Sequence, residues 1–429
     1  MQEIKKNQWP VSRRRLLSQA ALLPAVGWPL LEAQAQFRVE VSGVGMTQIP
    51  FSAVTFRGNG QAEQDIAAIV RADLERSGQF RFVDPLPGQI DETSRPDLAP
   101  WRSRTIDAMV AGSVTRLADG RFDIRFRLWD VVQAKDLGGL SYPVTAQDLR
   151  LAAHRIADYI YERLTGDKGV FATRIAYVSK NGNQHVLWVA DADGENARAA
   201  LTSPEPIISP SWAPGGGQLA YVSFESRKPV IYTHDVATGR RRLLANFRGS
   251  NSAPSWSPDG SQLAATLSIS GNAQIYVMSA AGGEPRRLTQ SSSIDTEPVF
   301  SADGQSLYFV SDRGGSPQIY RMGVQGGNPQ RLTFTGNYNI SPAPSPDGRW
   351  LAYVSRIGGA FRLHVMELAT GNVTALTTTS GDESPSFSPN SRLIIYATRD
   401  RGQEALMTST VDGRIKTRLA GARGDIREP

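Results

Sequence analysis

From about residue 175 to its end the chain repeats itself every 44 residues, in three columns that keep step with one another. The residue opening an Ile/Leu-Ala-Tyr-Val-Ser-like segment falls at Ile175, Leu219, Leu263, Leu307, Leu351 and Ile394. A second apolar start falls at Leu187, Ile231, Ile275, Ile319, Leu363 and Leu406. The third column is a proline, at Pro210, Pro254, Pro298, Pro342, Pro385 and Pro429. Each column slips once, to an interval of 43. A fixed period of this length means that each repeat is one supersecondary unit that needs its neighbours to bury its faces.

The content of the repeat says what the unit is. The proline leads into Ser255-Trp256-Ser257-Pro258-Asp259-Gly260 and its relatives, and Pro-Asp-Gly marks a tight turn. Further glycines punctuate the second segment at Gly194, Gly239, Gly282, Gly326, Gly371 and Gly413. A basic-apolar segment such as Arg286-Arg287-Leu288-Thr289 closes the unit. Four short strands in about 44 residues is the size of a propeller blade. Six units predict an all-β six-bladed β-propeller over 170–429; another array with the same period is the competing reading. The recurring aromatics Trp212, Trp256, Phe300 and Phe387 are expected between blades. The first unit lacks its Pro-Ser-Trp segment, while the chain stops at Pro429. Asp425–Pro429 should therefore reach round to complete the first blade, since an open sheet edge is a liability.

Residues 36–165 lack the period and read as a small α/β domain. Phe37–Val41, Ile49–Phe56, Phe80–Val83, Ala108–Leu117 and Phe122–Val131 read as strands. Ile66, Ile69, Val70 and Leu74 recur at helical spacing within Gln61–Ser77, with Gly78 as its stop. Ala146–Leu164 is a second amphipathic helix, and Thr165–Gly169 a linker.

Residues 1–35 have the layout of a cleaved signal peptide. Ser12-Arg13-Arg14-Arg15-Leu16-Leu17 precedes a weakly apolar run broken by Pro24, Gly27 and Pro29, which ends at Ala33-Gln34-Ala35. The Arg13-Arg14 pair is that of a twin-arginine signal, with a Sec signal as the alternative. Cleavage is expected between Ala35 and Gln36. The run is too short for a permanent membrane span. Five basic and two acidic residues in this segment carry +3 of the chain's formal +6. What is left gives no basic footprint for nucleic acid. With no Cys, disulfides, thiolate metal sites and lipobox attachment are all ruled out.

Motifs for catalysis are missing. No Gly-x-Ser-x-Gly elbow occurs. The four histidines are His154, His185, His234 and His364, the last three at or near equivalent places in the repeats, and no His/carboxylate pattern marks a metal site. Asp191-Ala192-Asp193-Gly194-Glu195 has the opening of a calcium loop but not its later ligands, and reads as a hairpin turn. No catalytic residue, metal or cofactor is accordingly expected. A propeller hydrolase without a recognisable nucleophile, and a sugar- or peptide-binding propeller, are the alternatives to a protein-binding scaffold.

Ile49-Pro50-Phe51 followed by Phe56, the run from Ile66 through Leu74-Glu75-Arg76-Ser77-Gly78-Gln79-Phe80, and the six repeats together resemble the TolB family. These are periplasmic propellers of the Tol-Pal envelope system. The resemblance covers nearly the whole mature chain. It implies a non-enzymatic, monomeric scaffold that keeps the outer membrane sound and serves its invagination at division. It implies Pal lipoprotein at one propeller mouth, TolA at the mature N-terminus, and colicins exploiting the same mouth. The positions resembling the family's Pal contacts are Ser250, Asn251, Ala253, Thr296 and Glu297, expected at loop tips. Asn339, Ser341, Asp382, Glu383 and Ser384 ring the same mouth. The TolA segment would begin with Gln36, Phe37, Arg38, Val39, Glu40 and Val41; further on, Gly43-Val44-Gly45-Met46 carries no Asp, a departure from the family's acidic pattern.

Overall fold

The computed structural model describes residues 48–400, 402–419 and 425–429. The export residues Arg13, Arg14, Ala33 and Ala35, and the segment 36–41, lie outside the described residues.

The front domain is a mixed sheet backed by two helices. Its strands are β1 (Ile49–Ala53), β2 (Phe80–Phe82), β3 (Ala108–Arg116), β4 (Phe122–Asp130), β5 (Lys135–Gly138) and β6 (Ser141–Val144). Their order is β2-β1-β3-β4-β5, with β6 also paired to β4. Strand β1 runs parallel to β2 and β3, which requires the crossover supplied by α1 (Ile66–Arg76). Asp65 starts that helix by accepting the Ala68 N–H at 3.1 Å. The helix is shorter than its periodicity predicts: Asn59–Gln61 form a separate 3-10 turn and residues 62–65 approach the helix as loop. A short helix, α2 (Ala99–Ser103), and strands β5 and β6 carry too little apolar periodicity to be read from sequence. The long helix α3 (Leu149–Thr165) packs with α1 over the sheet; Val70, Leu74, Ile156, Ala157, Phe51 and Phe126 share one core.

Six four-stranded sheets follow. Blade 1 takes Asp425–Arg427 as its first strand, paired antiparallel to Arg174–Asn181, so the C-terminus closes the ring as expected. The first strands of blades 2 to 6 are Ile207–Trp212, Asn251–Trp256, Asp295–Phe300, Asn339–Pro344 and Glu383–Phe387. From blade 2 to blade 6 the first strands of successive blades pack against one another, as strands lining the axis must. The repeated aromatics lie between blades. Phe300 packs with Ala264, Ile275 and Val277 of blade 3 and Leu307 of its own blade. Trp256 lies over the seam of blades 2 and 3 and donates to the Ser211 carbonyl at 3.2 Å.

Two ends follow from the strand directions. Turns after the first and third strands of a blade share one end, and the front domain meets this end. Arg392 pairs with Asp167 at 2.6 Å and Asn390 donates to the Lys168 carbonyl at 2.9 Å. Gly78 does more than stop α1. Its φ is +75°, and a Cβ on it would stand 2.9 Å from Thr410 Cγ2 of blade 6, so only glycine allows this approach. The opposite end, formed by the loops after the second and fourth strands, faces away from these contacts. No helix among the described residues is long and apolar enough to cross a membrane.

Candidate protein-binding face

The repeated proline shapes the free end of the axis. Proline has no N–H to give a ladder, so an inner strand can hold it only where pairing is broken. Each of the first strands of blades 2 to 6 has a register break there, between Ile208 and Ser211, Ser252 and Ser255, Thr296 and Val299, Ile340 and Ala343, and Glu383 and Ser386. Proline disfavours right-handed helical geometry in the residue before it and steers that residue toward extended backbone. In all six blades it takes the left-handed region instead: Ser209 (φ 53°), Ala253 (48°), Glu297 (51°), Ser341 (54°), Ser384 (51°) and Glu428 (53°). None is glycine. A positive φ costs a non-glycine residue about 1–2 kcal/mol, so the ring supports the same strained bulge six times.

The candidate contact residues therefore sit within strands, not at loop tips. Ser250 alone precedes its strand, and its N–H donates to Ser268 Oγ at 2.7 Å. Ala253 and Thr296 are half-buried on inner strands, with Thr266 Oγ1 donating to Thr296 Oγ1 at 3.3 Å. Asn251 is a correction. It is fully buried, and its amide group bonds the Pro229, Phe247 and Gly249 carbonyls and the Phe247 N–H. Its side chain fastens the loop behind it and is not presented at the surface. Asp295, Asn339 and Asp382 occupy or adjoin the same column, and are equally buried loop fasteners. Sequence alone showed only a polar residue near the mouth.

Glu297 and Glu428 add a feature that sequence reading missed. Each carboxylate accepts the N–H of the matching residue in the next blade, Ser341 for Glu297 at 2.7 Å and Ser209 for Glu428. Blades 1 and 4 face each other across a six-membered ring, so these two acids oppose one another. Burial pushes the Glu297 carboxyl above its usual range, against the pull of the Ser341 N–H. Burial likewise lifts Glu428 to about 7, with the Ser209 N–H opposing and Glu383 and Glu297 adding to the rise. The axis thus presents acids that are easily protonated.

Outside the axis, the same end carries two exposed apolar side chains, Ile294 (53% exposed) and Phe334 (75%), on loops of adjacent blades. A signal for Phe334 was present in the repeat: blades 2, 3 and 5 hold Asn246, Gln290 and Thr378 in its column. The guanidinium of Arg331 lies over the Phe334 ring, 5.2 Å from its centre.

The histidines of the repeats behave as expected of strand residues, with His234 and His364 buried beside Tyr221 and Tyr353. His154 does not. With Asp73 and Asp193 it forms a His/carboxylate group whose ligand-type atoms lie within 4.8 Å of one another, which corrects the expectation that no such cluster exists. Arg76 and Arg150 already bind those two carboxylates, and the group lies at the domain junction, away from the free end.

Against known proteins, residues 161–429 match the TolB beta propeller domain and residues 37–137 the TolB amino-terminal domain. The Tol-Pal system protein TolB of Albidiferax ferrireducens is 70% identical over 404 residues, 94% of this chain and 95% of that one. That of Polaromonas naphthalenivorans is 69% identical over 418 residues, 97% of each chain. The crystal structure of TolB from Acinetobacter baumannii aligns with a TM-score of 0.82 at 38% identity, covering 89% of this chain and 96% of that one.

Proposed function

The chain belongs to the TolB family of Tol-Pal system proteins, and on that premise we propose that it is a periplasmic protein-binding scaffold whose free propeller mouth receives Pal. Its role is to hold partners together for outer-membrane integrity and for invagination at division, without catalysis. Export by the N-terminal signal delivers it, and the segment 36–41 of the mature chain engages TolA. Colicins exploit the Pal-binding mouth.

The observation that carries this reading is the sixfold bulge. Ala253, Thr296 and Glu297 stand on inner strands of adjacent blades whose backbone is fixed by ring packing on every side. A partner entering there meets a surface that needs no ordering, which removes a main cost of association. Small side chains at Ala253 and Thr296 leave the rim open to close approach. Ile294 and Phe334 lie in the loops of this same end and offer apolar anchors at its edge. The opposite mouth is unsuited to the task because the front domain packs against that end at blades 1 and 6.

The test is co-purification. Mature protein carrying an affinity tag is used to capture Pal and TolA from detergent extracts of the native envelope. Recovery of Pal in stoichiometric amount supports the scaffold reading, and its absence under conditions where TolA is captured removes the Pal assignment.

A further inference from the structure

A buried charge cluster joins the front domain to the propeller where α1, α3 and blade 1 meet. His154 of α3 is 1% exposed. Its Nδ1 lies 2.6 Å from Oδ2 of Asp73 on α1, whose other oxygen accepts from Arg76 at 2.8 Å. Its Nε2 points at the turn after the third strand of blade 1, 3.8 Å from Oδ2 of both Asp191 and Asp193, and has no hydrogen-bond partner. Arg150, one turn earlier on α3, binds Asp193 and lies 3.4 Å from Asp191. Asp158, one turn later, is occupied by the Phe171 and Ala172 N–H groups of the interdomain linker, at 2.7 and 3.2 Å.

The protonation state of this ring follows from counting. A neutral imidazole has one bare nitrogen, and either choice aims a lone pair at carboxylates: at Asp73, or at Asp191 and Asp193. Only the imidazolium presents an N–H to both sides. Three carboxylates, Asp73, Asp191 and Asp193, face two guanidiniums, Arg76 and Arg150, which leaves one negative charge, and Asp158, whose carboxyl burial pushes up, adds to it when ionised. A proton on His154 offsets this excess.

We propose that His154 is a charged clasp between the domains, an imidazolium gripping Asp73 of its own domain and the Asp191–Asp193 turn of blade 1, so that loss of its proton loosens the front domain from the propeller. Burial opposes the charge, but Asp191, Asp73 and Asp193 outweigh it and lift the ring to about 9. The sign follows from linkage: a raised histidine pKa stabilises fully below the unfolded value of 6.5 and the gain is lost as pH rises through about 9. The clasp is therefore shut throughout the neutral range. It opens in alkali, or at neutral pH when its blade 1 partners are removed.

The experiment is a histidine-labelled NMR titration of the full mature chain from pH 5.5 to 10.5, with amide exchange at Phe171 and Ala172 as the readout of the junction. One imidazole is expected to stay charged at pH 7.5 and to titrate near 9; its signal should vanish in His154→Gln. The pair Asp191→Asn with Asp193→Asn should lower that pKa by at least about one unit. Protection at Phe171 and Ala172, corrected for intrinsic base catalysis, should fall at least about tenfold between pH 7 and 10 in the native chain and not in His154→Gln. Should His154→Gln fail to fold, the double asparagine variant carries the same comparison. A ring that is neutral at pH 7.5, or protection that ignores its titration, overturns the proposal. So does zinc retained in stoichiometric amount by the native protein and lost from the variants, since a metal would then replace the proton.

Discussion

Ring closure rests on three residues, and Ile426 is the one that bears weight. Its side chain is fully buried among Tyr177 and Ala190 of blade 1 and Ala397, Leu406 and Leu419 of blade 6. Truncating a buried isoleucine to alanine costs about 2–5 kcal/mol through lost transfer and a cavity. The closing strand pairs on one edge only, Ile426 opposite Ser179, and ends one residue later at Arg427, so it can peel away instead of holding a cavity open. Peeling caps the cost, and we expect Ile426→Ala near the low end, about 2–3 kcal/mol. Ile426→Val removes one methylene and should cost about 1 kcal/mol. Ile294→Ala, on an exposed loop, should fall within about 0.5 kcal/mol of native. Equilibrium urea denaturation followed by tryptophan fluorescence measures all three. A loss below about 0.5 kcal/mol for Ile426→Ala would mean that the ring is closed by something other than the C-terminal strand.

Three other outcomes follow. Phe300→Ala, emptying the seam of blades 3 and 4, should lower stability by about 3–5 kcal/mol, while the half-buried Trp256→Ala costs less; equal losses in denaturation would contradict the packing. Glu428 is raised from 4.5 to about 7, so its strand contributes most below 4.5 and loses up to about 3 kcal/mol as pH rises through 7; Glu428→Gln should flatten this trend, and an unchanged pH profile would disprove it. Replacing Arg13 and Arg14 together by Lys should block processing and periplasmic yield, because a twin-arginine receptor reads guanidinium pairs; normal export would assign the Sec route.

The propeller was legible because its signal is repeated. Each column of apolar and proline positions recurs with every blade, so register and seam aromatics could be placed from sequence alone. The bulge was not legible in the same way. Its left-handed residue is Ser, Ala or Glu, never the glycine that would announce it, and only the adjoining proline hints that the ladder must break. Asn251 and Asp382 show the complementary failure: a polar residue near a loop is ordinarily exposed, yet here each is buried and fastens the loop behind it. The domain junction was hidden by separation in sequence, since Asp73 and His154 are 81 residues apart. A local cue did exist. Asp73 lies beside Leu74 and Val70 on the apolar face of α1, and His154 beside Ala153 and Ala157 on that of α3. A charged residue on each of two core-facing stripes implies that the two meet.

Calorimetric titration of Pal measures whether the free mouth of the propeller is its binding face. Ala253→Trp and Thr296→Trp put bulk into adjacent inner strands; tryptophan is unbranched at Cβ, so at Ala253 it adds no backbone penalty that alanine does not already bear. Gln305→Trp, on an exposed turn at the other end of blade 4, is the control. With melting curves showing all three folded, Pal affinity should be weakened at least about tenfold in both mouth variants and unchanged in the control. Native affinity in both mouth variants would contradict this and move the Pal site to another surface.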